Sequence, residues 1–114
     1  MRRFALVFAL TALTATAAFA QAYQGNWSCR DASTERAGIL TIYGQVYGWA
    51  SRTPGDPNSG TGMLTPYQDG IGVNDGNLRL NGNVQAVRVI NDPSYGVALQ
   101  METAEAIVML CTPR

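Results

Sequence analysis

Turn-forming residues recur at short intervals through most of the chain and leave room only for short strands between them. Asp69-Gly70, Asp75-Gly76 and Asn81-Gly82 are typical of tight hairpin turns, because Asn, Asp and Gly tolerate the positive φ that such turns require. The runs between the turns are rich in Val, Ile, Leu, Tyr and Trp, which favours strands and an all-β fold. The predicted strands are Gly25–Arg30, Gly38–Tyr43, Gln45–Ser51, Gly62–Gln68, Gly70–Val73, Asn77–Leu80, Val84–Asn91, Val97–Glu102 and Ala106–Cys111.

The N-terminal segment has the three parts of a secretory signal peptide. Arg2-Arg3 is a short basic region, Phe4–Leu13 is apolar, and Ala18-Phe19-Ala20 has the small residues of a cleavage site. The apolar run is too short for a membrane-spanning helix, which needs about 20 residues. We therefore predict a signal peptide at residues 1–20 and a single β domain at residues 21–114. A bacterial host would export this domain to the periplasm or the medium, with no membrane span after processing.

The two cysteines, Cys29 and Cys111, lie near opposite ends of the predicted β domain. An even number of cysteines in an exported chain predicts a disulfide. Because bridged residues have Cα atoms about 5.5 Å apart, this disulfide would bring the first and last strands together. A meander closed in this way is a small antiparallel barrel of about eight strands. The alternative is a two-sheet β-sandwich in which the disulfide joins terminal strands of different sheets.

The composition lacks the groups on which most enzymes depend. The chain contains no His, and all eight of its basic residues are Arg. It therefore lacks the usual general base, the imidazole metal ligand and the Schiff-base amine, while its thiols are predicted to be oxidised. We predict no enzymatic activity, no cofactor and no metal site.

The charge of the chain also limits its partners. Without residues 1–20, six Arg remain against eight acids, which gives a net charge of −2 and no basic stripe. Nucleic-acid binding therefore has no electrostatic basis. Charged residues are only 14% of the chain, against about 25% in typical domains, and such a surface is compatible with a homo-oligomer.

Gly25-Asn26-Trp27 is followed by a meander punctuated by glycines, and this start resembles the G-x-W start of the avidin and lipocalin superfamily. The resemblance implies that Trp27 plugs one end of a barrel. Lipocalins are longer than this chain, and the biotin-binding pattern of avidins is absent, so no ligand is implied. In size, export and disulfide use the chain is also similar to small periplasmic inhibitor barrels.

Aromatic residues near the longest predicted loop are candidates for a binding surface. Interface hot spots favour Trp, Tyr and Arg, and Arg52–Gly60 is longer than the usual hairpin connection. The candidate binding residues are Tyr47, Trp49, Arg52, Tyr67 and Tyr95. The alternative for these aromatics is packing inside the fold, because strands are rich in aromatic residues.

These observations favour a non-enzymatic exported protein that binds a protein or glycan partner through loops at one barrel end. Inhibition of the partner is one form of this function. A small-molecule carrier of lipocalin-like type and a self-assembling envelope component are the alternatives. A carrier would have an apolar cavity of several hundred Å³, whereas a loop binder would have a filled interior.

Overall fold

The computed structural model describes residues 23–114 and is built almost entirely from strands. The strands are β1 Gly25–Asp31, β2 Arg36–Tyr43, β3 Val46–Ser51, β4 Gly60–Tyr67, β5 Gly70–Val73, β6 Ala86–Asp92, β7 Gly96–Glu102 and β8 Ile107–Pro113. One helical turn, α1 (Asn77–Leu80), lies between β5 and β6. The predicted signal peptide lies outside the described residues. In the described part of the chain, no helix has the length and apolar character needed to cross a membrane.

The strands form one closed antiparallel barrel in which each strand pairs with its neighbours in the sequence. β8 returns to β1 and completes the barrel, with Trp27 opposite Pro113 in the register. Cys29 and Cys111 are directly opposite each other at this closure, with Cα atoms 4.0 Å apart, and they form a disulfide. The predicted all-β barrel and its disulfide are confirmed, and the two-sheet sandwich is wrong.

The segment Asn77–Leu80 corrects the strand prediction, because it forms the helical turn α1. Leu78 and Leu80 would share a face in a strand, yet Leu78 is 1% exposed and Leu80 is 73% exposed. The amide of Asn81 donates to the Asn77 carbonyl, which closes the helical turn. The other predicted strands agree with the observed ones to within two residues at each end.

The barrel interior is filled by inward side chains from every strand. Trp27 is 3% exposed and lies near the start of β1, where its Nε1 donates to the Tyr23 carbonyl over 2.9 Å. Among the described residues, no polar or charged side chain is buried. The core consists of Tyr23, Trp27, Cys29, Leu40, Ile42, Tyr47, Trp49, Leu64, Ile71, Val73, Leu78, Val84, Val87, Leu99, Met101 and Cys111.

The two ends of the barrel differ in their connections. Residues 44–45, 68–69 and 93–95 are short turns at the end where β1 begins and β8 finishes. The opposite end, which we call the loop end, carries residues 32–35, 52–59, 74–85 and 103–106. The two longest connections are therefore neighbours on the loop end, since they join β3 to β4 and β5 to β6.

Candidate functional site at the loop end

The five candidate binding residues do not form one surface. Tyr47 and Trp49 share a face of β3, as their alternation predicts, but that face points inward and they are 1% and 5% exposed. Tyr67 and Tyr95 are 60% and 58% exposed, and both lie at the end opposite the loop end. Arg52 is exposed on the loop end. Tyr47 and Trp49 therefore pack inside the fold, as the alternative interpretation of these aromatics expected, and a partner on the outer surface cannot contact them.

Tyr47 holds the connection between β5 and β6 against the barrel from inside. Its hydroxyl donates to the Asp75 carbonyl over 2.8 Å. Gly62 lies opposite Tyr47 in the register, and a Cβ there would come within 2.5 Å of both the Tyr47 ring and the Asp75 carbonyl oxygen. The absence of a side chain at Gly62 therefore lets the phenol reach across β4 to the loop end.

The connection between β5 and β6 also covers the core. Leu78 in α1 and Val84 after it are 1% and 2% exposed. The Val84 amide donates to the Leu78 carbonyl, so the two apolar residues are held together. Gly76 adopts a φ of 82°, a conformation that glycine reaches without steric cost, where the chain enters α1. This segment forms a platform beside residues 52–59.

Two asparagine side chains of this platform hold the loop of residues 52–59, which we call the braced loop. Asn77 Nδ2 donates to the Ser59 carbonyl over 2.9 Å, and Asn81 Nδ2 donates to the Pro57 carbonyl over 3.0 Å. Asn77 is the first residue of α1, and Asn81 directly follows its last residue. The two side chains project from the same side of this turn, because residues four apart lie on the same face of a helix. The position of the braced loop therefore depends on α1.

Hydrogen bonds within the braced loop restrict it further. The Ser51 amide donates to Ser59 Oγ over 3.0 Å, and the Asn58 amide donates to Asp56 Oδ1 over 2.9 Å. The Asn58 amide and the Ser51 hydroxyl lower the pKa of the Asp56 carboxyl, because both donate to its charged form. The Ser59 amide donates to the Asp56 carbonyl over 3.1 Å. The loop is therefore a compact turn stabilised on both of its sides.

The tip of the braced loop is exposed to solvent. Arg52, Thr53, Pro54, Gly55 and Pro57 are all exposed. The two prolines have fixed φ angles, which removes freedom that the loop would otherwise lose on binding. A loop that is already ordered binds a partner at a lower entropic cost.

Two of the concavities on the described surface lie beside polar or charged side chains. The larger, about 490 Å³, lies on the loop end and is lined by Gly82, Asn83, Gln85, Thr103, Ala104 and Glu105. The smaller, about 60 Å³, lies beside Tyr67 and Arg88, where Arg88 pairs with Glu102 over 2.9 Å and with Asp69 over 3.4 Å. The larger concavity is lined by polar residues at the rim and differs from the apolar interior cavity that a carrier requires.

The described residues contain few groups for catalysis. Within residues 23–114, no three His, Cys, Asp or Glu residues lie close enough together to hold a metal ion. Both cysteines of the chain are joined in the disulfide, which removes them as nucleophiles.

Comparison with known proteins identified no relative. No family model matches the chain, and neither a curated protein nor a solved structure is significantly similar to it. The likeness of Gly25-Asn26-Trp27 to the avidin and lipocalin start is therefore not accompanied by any match over the whole chain.

We expect the protein to lose stability in alkaline solution because Tyr23 and Tyr47 are buried. Burial raises the pKa of Tyr47 above its ordinary 10.0, with the nearby Asp75 charge adding to the shift, and burial also raises the pKa of Tyr23. Both phenols ionise more readily in the unfolded chain, so the free energy of unfolding is fully retained below pH 10 and decreases as the pH rises above it. Urea unfolding between pH 7 and pH 11 measures this decrease.

Tyr47→Phe separates the contribution of this phenol. The variant should lose about 1 kcal/mol at pH 7, because the hydrogen bond to the Asp75 carbonyl is absent. It should also show a smaller decrease above pH 10, since one buried titrating group is removed. Parallel curves for the two proteins across this range would contradict the role of Tyr47.

Proposed function

We propose that this protein is exported to the periplasm or secreted, and that it binds another protein through the braced loop and the adjacent loop-end rim without catalysing a reaction. The observation that carries the proposal is the support of the Ser59 and Pro57 carbonyls by Asn77 and Asn81. The disulfide supports the export proposal, because such bonds persist in oxidising compartments.

The shape of the loop end favours a protein as the partner. The tip with Pro54 and Pro57 is exposed and held by hydrogen bonds, and an ordered loop of this kind is suited to enter a concave surface. Enzyme active-site clefts are concave surfaces of this kind, and insertion of a rigid loop into one excludes its substrate. Inhibition is therefore the form of binding that we favour.

A filled interior favours a surface binder over a carrier. The described barrel residues form one apolar core, and the 490 Å³ concavity opens at its rim. An eight-stranded barrel has an interior about wide enough for its own side chains.

The experiment captures partners from the native periplasm with immobilised protein that begins at Gln21. A captured protein counts as the partner only if Arg52→Ala weakens its binding. We expect the affinity to fall by about 30-fold, as it does when a hot-spot residue is truncated. Calorimetry with the purified partner then gives the affinity of each variant. Recovery of a glycan alone, or a partner whose affinity is unchanged by Arg52→Ala and by the loop variant below, would reject the proposal.

The double variant Asn77→Ala/Asn81→Ala tests the brace itself. Each lost hydrogen bond is worth about 1 kcal/mol, so a loosened loop should lower partner affinity by about 5- to 50-fold. Asn91→Ala is the control, since Asn91 is an exposed asparagine of β6 away from the braced loop. It should bind like the wild type, and an equal loss in both variants would contradict the brace.

A further inference from the structure

In the described barrel, the outward positions of β2 beyond its first residues, of β3 and of β4 carry no charged side chain, and the exposed Arg36 at the start of β2 lies outside this region. The burial pattern and the register assign the outward positions of β2 from Ile39, of β3, and of β4 from Thr61. These residues, which we call the neutral face, are Ile39, Thr41, Tyr43, Val46, Gly48, Ala50, Thr61, Met63, Thr65 and Tyr67. Their composition is unusual for an exposed surface, where charged residues are normally common.

The other side of the wall is charged. Arg30 on β1, Arg88 and Asp92 on β6, and Glu102 on β7 are at outward positions. Arg88 forms its ion pairs there with Asp69 and Glu102. The charged side chains of these strands therefore lie on one side of the wall, and the neutral face lies on the other.

An exposed apolar row crosses the neutral face. Tyr43 pairs with Val46, and Val46 pairs with Met63, so the three side chains are neighbours across β2, β3 and β4. They are 84%, 42% and 45% exposed. Tyr67, further along β4, is 60% exposed on the same face. The centres of protein interfaces are poor in charge and enriched in Tyr and Met, and this row has that composition.

Gly48 leaves a gap in the row of outward side chains of β3, beside the apolar row, and we call this gap the recess. This residue pairs with Thr41 on one side and with Thr61 on the other. No atom lies within 4 Å of the place that a Cβ on Gly48 would occupy. The face therefore combines projecting aromatic and sulfur-containing side chains with a recess, as interdigitating sheet surfaces require.

We propose that the neutral face of one molecule binds the neutral face of a second copy, and that the two molecules form a weak two-fold dimer. An uncharged face gains nothing from a charged partner, whereas it meets its own copy without like-charge repulsion. The formal net charge of residues 21–114 is only −2, so long-range repulsion between copies is small as well. A two-fold axis lets the projecting residues of each copy enter the recess of the other.

The size of the face sets the strength of the dimer. Strands about 4.8 Å apart with a rise of about 3.3 Å per residue give a face of roughly 15 by 20 Å. The area of such a face is smaller than the roughly 800 Å² that each partner contributes to a standard interface. We therefore expect a weak dimer with a dissociation constant of about 10 to 100 µM. The neutral face includes none of residues 52–59, so the proposed dimer does not depend on the proposed function.

Sedimentation velocity of residues 21–114 from about 5 µM to about 1 mM tests the dimer, and two matched substitutions locate it. Val46→Glu places a charge on the neutral face, and Leu110→Glu places the same charge on the other wall opposite Arg30. Both residues are 42% exposed. We expect the dissociation constant to rise at least 10-fold for Val46→Glu and to change less than 2-fold for Leu110→Glu.

Gly48→Lys gives a second, independent test. Gly48 does not have a positive φ, and its Cβ position is open, so the folded barrel accommodates the side chain. Filling the recess with a charged group should leave the protein monomeric while its circular dichroism stays that of the wild type. A wild type that is monomeric at every concentration, or a dimer that Val46→Glu and Gly48→Lys leave unchanged, would overturn the proposal. So would equal weakening by Leu110→Glu.

Discussion

Removal of the Cys29–Cys111 disulfide is expected to lower the free energy of unfolding by about 4 kcal/mol. The bond joins residues separated by 82 positions, and the chain-entropy model assigns such a loop about 4.5 kcal/mol. A domain of this size has a total stability of about 5 to 14 kcal/mol. The hydrogen bonds between β1 and β8 would remain, but they would have to close the barrel without a covalent bond between its first and last strands.

The measurement compares urea unfolding of the wild type with that of Cys29→Ala/Cys111→Ala. The wild type in reducing buffer serves as the matched control, because it lacks the bond and retains both side chains. Both forms should be destabilised by similar amounts, and any larger loss in the double variant measures the missing sulfur contacts. A change below about 1 kcal/mol in both would show that closure of the barrel does not depend on the disulfide.

Leu78→Ala is expected to lower the free energy of unfolding by about 3 kcal/mol. Leu78 is 1% exposed where α1 covers the core, and truncation of a fully buried leucine leaves a cavity. Leu80→Ala is the control from the same helical turn, because Leu80 is 73% exposed. It should cost less than about 0.5 kcal/mol, as surface substitutions usually do.

The same pair of variants tests whether α1 positions the braced loop. Since Asn77 and Asn81 hold the Ser59 and Pro57 carbonyls, a loosened α1 should release the loop. Hydrogen exchange of the Ser59 amide, which donates to the Asp56 carbonyl, should become faster in Leu78→Ala than in Leu80→Ala. Equal stability or equal exchange in the two variants would mean that Leu78 does not hold the platform in place.

The prediction for the aromatic residues was limited by what alternation can reveal. A period of two places Tyr47 and Trp49 on one face of β3, and that much is correct. It does not distinguish the core face from the solvent face. Gly62 on β4 provides space for the ring of Tyr47, and Gly38 on β2 provides space for the ring of Trp49, so both rings depend on the register of β3 with its two neighbours.

The prediction for Asn77–Leu80 failed because the local pattern fits two structures. An apolar, polar, apolar order is typical of a strand, but so short a segment is equally able to form one helical turn. The choice is made by contacts with distant residues. Leu78 packs into the core, and the Asn77 and Asn81 side chains reach carbonyls about 20 positions earlier in the chain.

The sequence by itself determined the all-β class, the positions of the eight observed strands to within two residues and the joining of the first and last strands by Cys29 and Cys111. These follow from turn dipeptides, alternation and cysteine placement, which act on neighbouring residues or through one covalent bond. Only the tertiary structure decided which aromatics are buried, how the braced loop is held and that Tyr43, Val46 and Met63 lie side by side. These features depend on strand register, which brings together residues far apart in the sequence and so leaves no local pattern.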